Sequence, residues 1–247
     1  MFLLKGENMK IIIDQIDRLY SMAARDIVAV VKNNSKAVLG LATGSSTIGI
    51  YKALVSDFLS NRTSYKDIIT FNLDEYEGIP SNNHQSYSYF MNKHLFNHID
   101  IDRKNIHLPS MSYDNISDAV KIYNDLLHQH ELDVQLLGLG RNGHIGFNEP
   151  GTSFESETHR IELDEKTRFD NSRFFNSIEE VPTHAITMGI HNIMMAKKII
   201  LIATGLNKAE VVFDMVRGPI HTDCPASILQ KHDNITIYLD QDASSLL

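Results

Sequence analysis

The chain has 247 residues, 43% of them hydrophobic and 22% charged, enough to bury a sizeable core as a single domain. A formal net charge of −8 with no basic stripe argues against nucleic-acid binding, so an anionic ligand must be met by a local cluster of positive groups. The one cysteine, Cys224, excludes an intramolecular disulfide and a Cys-rich zinc site, and no apolar run is long enough for a signal peptide or membrane span, which makes the expected localisation cytoplasmic.

In chain order, MKIII (9–13) reads as a short strand, and residues 14–32 place Ile16, Leu19, Met22, Ala23, Ile27, Val30 and Val31 on one helical face. KAVLGLAT (36–43) reads as a buried strand and TIGIYKALVSDFLS (47–60) as a helix with Tyr51, Leu54, Val55 and Phe58 on one side. IITFNL (68–73) is the next strand. Residues 84–99 and 116–131 read as helices, and DVQLLGLG (133–140), KKIILIAT (197–204) and NITIYLD (234–240) as strands. Apolar strands alternating with amphipathic helices predict a Rossmann-like α/β fold, a mostly parallel sheet with helices on both faces, in a single domain spanning 1–247. Residues 141–183, polar and lacking periodicity, are the candidate active-site loop or lid. Low-complexity tracts and charge blocks are absent. Among twelve histidines, His94 and His98 share a face if their segment is helical, but no third ligand has metal-site spacing, and a polar helix face is the preferred reading.

In an open α/β sheet, ligands bind beyond the carboxyl ends of the strands, and the distinctive motifs fall there. Ala42-Thr43-Gly44-Ser45-Ser46-Thr47 offers a close turn, helix-start amides and hydroxyls suited to a phosphate, although Ser and Thr are equally at home as simple helix caps. Ala203-Thr204-Gly205-Leu206-Asn207-Lys208 repeats the strand-to-helix placement. It puts Lys208 in a first turn, where a cation opposes the helix dipole unless a bound anion compensates it or the side chain reaches into water. Phe71-Asn72-Leu73-Asp74-Glu75-Tyr76 sets two carboxylates at a strand end, either solvated loop acids or, if one is desolvated, a general base.

Gly140-Arg141-Asn142-Gly143-His144-Ile145-Gly146-Phe147-Asn148-Glu149-Pro150 interleaves glycines with a titratable imidazole and a carboxylate five residues on, and reads as a built acid/base site more than a connection. Arg173, in Asn171-Ser172-Arg173-Phe174-Phe175, is either a packed surface arginine or an oxyanion clamp; its own sequence does not decide.

Together, ATGSST, FNLDEY, GRNGHIGFNEP, NSRFF and ATGLNKA, in this order and at these separations, closely resemble the glucosamine-6-phosphate deaminase family over nearly the whole chain. GHIGFNEP is the most specific element, because the related 6-phosphogluconolactonases share the fold and a Gly-His pair but continue differently. The resemblance implies that Asp74 is the enolisation base moving a proton between C2 and C1, that His144 assists ring opening, and that Glu149 orients and polarises its imidazole. Asn142 stands where some members have Asp, so any orienting charge on His144 comes mainly from Glu149. Phosphate binding maps to Thr43, Gly44, Ser45, Ser46 and Thr47, with Arg173 and Lys208 as the positive groups, and 141–183 helps close the site.

The implied reaction turns glucosamine 6-phosphate into fructose 6-phosphate and ammonia through an enolamine and a ketimine, with no metal and no organic cofactor. The implied partner is a small sugar phosphate, and the expected assembly is a monomer or small homo-oligomer.

Two departures separate the chain from allosteric members: Thr158-His159-Arg160-Ile161-Glu162 replaces a basic cluster, and the chain stops at Leu247 without the longer tail. The expectation is an enzyme that N-acetylglucosamine 6-phosphate does not activate. Met9 is an alternative start to Met1, and whether Glu75 takes part or merely adjoins Asp74 is open. The rival readings are a 6-phosphogluconolactonase and a catalytically silent sugar-phosphate sensor; the latter is disfavoured because Asp74, His144 and Glu149 are all present.

Overall fold

The structure, a computed structural model, describes residues 2–5, 9–109, 115–172, 175 and 177–247. Its first half runs β1 (Phe2–Lys5), β2 (Met9–Ile13), α1 (Ile16–Asn33), β3 (Val38–Leu41), α2 (Ile48–Asn61), β4 (Ile69–Asn72), β5 (Asp74–Tyr76), α3 (Tyr87–His94), β6 (Ile106–His107) and α4 (Ile116–His128). The second half runs β7 (Val134–Leu137), β8 (His159–Glu162), α5 (Glu165–Ser172), β9 (His184–Thr187), α6 (Ile190–Met194), β10 (Ile199–Ala203), α7 (Ala209–Arg217) and β11 (Ile235–Leu239).

Eight strands form one sheet in the order β1-β2-β11-β10-β7-β3-β4-β6, parallel except for β1, which pairs antiparallel to β2. The alternation along each strand divides the core into two layers. On one face Phe71, Leu137, Leu201 and Ile237 pack with Tyr123 and Leu127 of α4, Ile193 of α6 and Val212 and Met215 of α7. On the other, Leu39, Leu41, Leu136, Ile200 and Tyr238 pack with Leu19, Ala23, Ile27 and Val31 of α1, Ile50 and Leu54 of α2 and Met91 of α3. The four α1 residues recur at four-residue spacing, the stripe that makes an 18-residue helix amphipathic. This is the helix-covered, mostly parallel sheet that the sequence predicts.

The chain lays β3, β4 and β6 to one side and β7, β10 and β11 to the other, so the strand order reverses between β3 and β7. Loops leaving the carboxyl ends of those two strands diverge over opposite faces and open a crevice.

Two features depart from the sequence reading. The helix expected over 84–99 is shorter: the Ser86 side chain accepts the Tyr89 N–H at 3.0 Å and starts α3 there. Leu95 then leaves helical geometry (φ −139°, ψ −66°), so that adjacent Leu95 and Phe96 are both buried. His98 therefore lies in a separate turn beyond the helix, where its Nε2 sits 2.9 Å from the Lys93 carbonyl oxygen.

The second departure is an additional antiparallel sheet, β5-β9-β8. Leu73 makes the transfer between sheets: its N–H donates to the Leu41 carbonyl at 2.9 Å, while its own carbonyl accepts from Met188 at 2.6 Å. Asp74 and Glu75 thus stand on a buried strand rather than in a solvated loop. Part of the 141–183 segment has regular structure, β8 and α5.

Candidate active site

The crevice holds a cavity of about 680 Å³. The turn after β3 contributes Thr43, Gly44, Ser45, Ser46 and Thr47; β5 contributes Asp74; the turn after β7 contributes His144; and the turn after β10 contributes Lys208. Asn142 and Glu149 are not among the lining residues but stand against His144 from behind. Arg173 lies outside the described residues.

Asp74 is 6% exposed and sits opposite Thr187 in the β5–β9 pairing. Burial, and then the neighbouring Glu75 carboxyl, push its pKa from 3.8 up to about 8. The dryness has a visible source. Tyr76 packs on Tyr87 with ring centroids 4.8 Å apart, Phe147 stacks on Tyr87 at 6.0 Å, and Phe175 meets Tyr76 edge-on at 6.0 Å. All four rings line the same cavity. They were not singled out from the sequence. Tyr76, Phe147 and Phe175 stand there inside the FNLDEY, GHIGFNEP and NSRFF motifs, and Tyr87 shares one helical face with Phe90 and His94.

The turn carrying His144 is cross-braced. The Gly140 N–H donates to the His144 carbonyl at 2.9 Å, and a β-carbon at Gly140 would lie 2.4 Å from the imidazole ring, so only glycine admits the ring at this position. Asn148 Nδ2 donates to the carbonyls of Ile145 and Met188, both at 2.8 Å, and Thr187 Oγ1 accepts the Phe147 N–H at 3.1 Å. These bonds tie the turn to β9 beside Asp74; the distance from Asp74 Oδ2 to the β-carbon position of Gly146 is 3.6 Å.

His144 Nδ1 is 3.4 Å from Glu149 Oε2 and makes no hydrogen bond to a described residue. The same oxygen accepts Asn142 Nδ2 at 2.6 Å, while Asn142 Oδ1 accepts the His144 N–H at 3.3 Å. Asn142 therefore holds the carboxylate in place from the side. Among the described residues, Glu149 is the acid paired with the imidazole.

The two strand-to-helix turns prove alike in backbone but not in use. Thr47 N–H donates to Gly44 O at 3.1 Å, and Lys208 N–H to Gly205 O at 3.0 Å. In the first turn the Thr47 hydroxyl is spent on the Gly44 and Ala42 carbonyls at 2.9 and 3.3 Å, whereas Ser45 is exposed and Ser46 half-buried at the cavity edge. In the second, both oxygens of Asp240 accept the Gly205 N–H, at 3.0 and 2.9 Å, so that amide is already turned to a protein carboxylate. The second turn supplies Thr204, Asn207 and Lys208 to the cavity, and the Lys208 Nζ donates to the Leu139 carbonyl at 2.6 Å, which draws it across to the His144 side. Arg141 also lines the cavity and adds to the positive charge there, although it went unmarked in the sequence except as part of its motif.

Among the described residues no three His, Cys, Asp or Glu side chains converge as a metal site, and no helix is long and apolar enough to cross a membrane.

Residues 14–238 match the family model described as glucosamine-6-phosphate isomerases/6-phosphogluconolactonase. A glucosamine-6-phosphate deaminase of Clostridium botulinum (strain Alaska E43 / Type E3) is 47% identical, covering 97% of this chain and 97% of its own length. One of Mycoplasma mycoides subsp. mycoides SC is 47% identical over 96% of each chain. The solved structure of a monomeric glucosamine-6-phosphate deaminase superposes with a TM-score of 0.94 at 41% identity, covering 97% of this chain and 100% of that one. A 6-phosphogluconolactonase from Trypanosoma brucei shares the fold, with a TM-score of 0.76 at 19% identity over 96% of this chain and 98% of its own. Matched over nearly its whole length in sequence and in fold, the chain belongs to the glucosamine-6-phosphate deaminase family.

Proposed function

We propose that this protein converts D-glucosamine 6-phosphate and water to D-fructose 6-phosphate and ammonia. The observation that carries the reading is the placement of Asp74: a dry carboxyl, pushed up to about 8, on the floor of a cavity whose other walls hold an imidazole, a Ser-rich turn and Lys208. A base that abstracts a proton from carbon needs this elevated proton affinity together with a site that excludes water.

The substrate's phosphate is held by the Thr43–Thr47 turn, by Lys208 and by Arg173. His144, oriented by Glu149 and Asn142, moves a proton between the ring oxygen and the C1 hydroxyl, which opens the pyranose and unmasks the C1 aldehyde. Asp74 takes the C2 proton, and the electron pair flows towards the aldehyde oxygen, leaving an enolamine. Return of the proton at C1 gives the ketimine. Water adds at C2, the C–N bond breaks, and ammonia leaves. Proton transfer and positioning each supply several powers of ten in such a scheme.

Ammonia release from glucosamine 6-phosphate is the test, with wild type compared with Asp74→Asn in the presence and absence of a chelator. Release by wild type that survives chelation and drops at least about a thousandfold in the variant is the expected outcome. Hydrolysis of 6-phosphogluconolactone without ammonia release from the amino sugar would transfer the assignment to the lactonase reaction, in which no C–H bond is broken.

A further inference from the structure

Glu75 follows Asp74 on β5, and strand alternation turns the two carboxyl groups to opposite faces. Asp74 meets the cavity, and Glu75, 7% exposed, meets the start of α3. Its Oε1 accepts the N–H groups of Tyr76 and Tyr87, both at 3.0 Å, and its Oε2 accepts that of Ser88 at 2.9 Å. Tyr87 and Ser88 are the first two residues of α3, where amides have no acceptor within the helix and the dipole favours an anion. With Ser86 taking the Tyr89 N–H, the opening turn of α3 is satisfied by two side chains.

This helix is a wall of the active site: Tyr87, Phe90 and His94 all line the cavity. An ionised carboxylate only accepts, whereas a protonated one would point an O–H into this set of donors. Burial lifts the Glu75 carboxyl from 4.5 to about 7 against the pull of these three amides, still below Asp74 at about 8, so of the two adjacent acids Glu75 gives up its proton first.

We propose that Glu75 is a positioning residue for the reaction, an anchor that fixes α3 against β5 through three backbone amides and that, once ionised, adds its negative charge to the burial that keeps the proton on Asp74. The inference rests on the reading of Asp74 as the proton-abstracting group. Among the described residues, the phenols of Tyr51 on α2, Tyr87 on α3 and Tyr123 on α4 feel the Asp74 charge and are held neutral by burial, and Tyr76 stands on the same strand. His144, Arg141 and Lys208 line the cavity that Asp74 faces, as do His84, Lys93 and His94 from the α3 side. Glu75 is the neighbour whose negative charge raises the proton affinity of Asp74.

The experiment is a pH series of kcat and KM for glucosamine 6-phosphate with wild type, Glu75→Gln, Glu75→Asp and Ser86→Ala. Loss of the negative charge makes Asp74 easier to ionise, so Glu75→Gln moves the acid limb of kcat/KM towards acid by about one pH unit, a roughly tenfold gain at low pH relative to its own plateau. Glu75→Asp keeps the charge on a shorter arm, and Ser86→Ala loosens the same helix start without touching the charge. Both raise KM and leave the limb in place. An unmoved limb in Glu75→Gln, or equal movement in Ser86→Ala, overturns the electrostatic role and reduces Glu75 to a helix anchor. If Glu75→Gln does not fold, an acid limb in Glu75→Asp that departs from wild type by as much as one unit overturns the proposal as well. Failure of the underlying reading looks different: Asp74→Asn would then retain ammonia release, whatever the Glu75 variants do.

Discussion

The Asp74 carboxyl illustrates how one side chain sets both rate and stability against pH. Its value of about 8 stands above the ordinary 3.8, so the ionised form that the proposed base role requires is the minority form at neutrality. Because the base must be ionised in the free enzyme, kcat/KM is expected to fall about tenfold per pH unit below pH 8, down an acid limb far above the usual carboxylate range. A pH–rate profile with its acid limb near the ordinary carboxyl value would refute the elevated pKa.

The same shift has a stability sign. A carboxyl bound more tightly by its proton in the folded state contributes fully below its unfolded value, and that contribution is lost as pH rises through the folded value. Asp74→Asn, which cannot ionise, is therefore expected to melt at a higher temperature than wild type at pH 8 and at the same temperature near pH 4. Thermal unfolding at the two pH values checks it.

At the scale of elements, the large sheet was legible because its strands are continuous apolar runs such as Ile199-Ile200-Leu201-Ile202-Ala203 and its helices carry stripes such as Leu19, Ala23, Ile27 and Val31. The turns were legible because a parallel sheet puts its ligand-binding loops at the carboxyl ends of such strands. The small sheet was not. Its strands have three or four residues, and β8 alternates half-buried His159 and Ile161 with exposed Arg160 and Glu162, a pattern too short to stand out from a polar loop.

Missing that sheet meant missing Thr187, whose hydroxyl couples β9 to the turn carrying His144 through the Phe147 N–H. Thr187→Val keeps the shape and β-propensity but leaves that buried N–H without its acceptor, a loss of about 1–3 kcal/mol. The expected result is a lowered urea midpoint together with a reduced kcat, since the turn that carries His144 is loosened at one of its ties. An unchanged kcat in the fully folded variant would show that the β9 tie does not position the turn.

On the scale of the whole molecule, a chain of net charge −8 brings Arg141 and Lys208 to one crevice, whereas β8 carries a single arginine, Arg160. There Arg160 is engaged by Glu77, its Nε donating to Oε2 at 2.7 Å and its second nitrogen to Oε1 at 3.3 Å. Ile161 packs with Tyr76, Phe147 and Leu163 in the small-sheet core, and Glu162 points outward. A segment with its arginine paired, its next side chain buried and an acid after it is a poor seat for a second sugar phosphate, because phosphate recognition needs cations free to be shared with the ligand. The strand that would have to move in response is also hydrogen-bonded to β9, and through β9 to the strand carrying Asp74. The rate against glucosamine 6-phosphate concentration is therefore expected to be hyperbolic, and addition of N-acetylglucosamine 6-phosphate should leave both kcat and the half-saturating concentration unchanged or act only as weak competition at the active site. A sigmoidal curve that this compound turns hyperbolic would require an effector site elsewhere and a second global state linked to it.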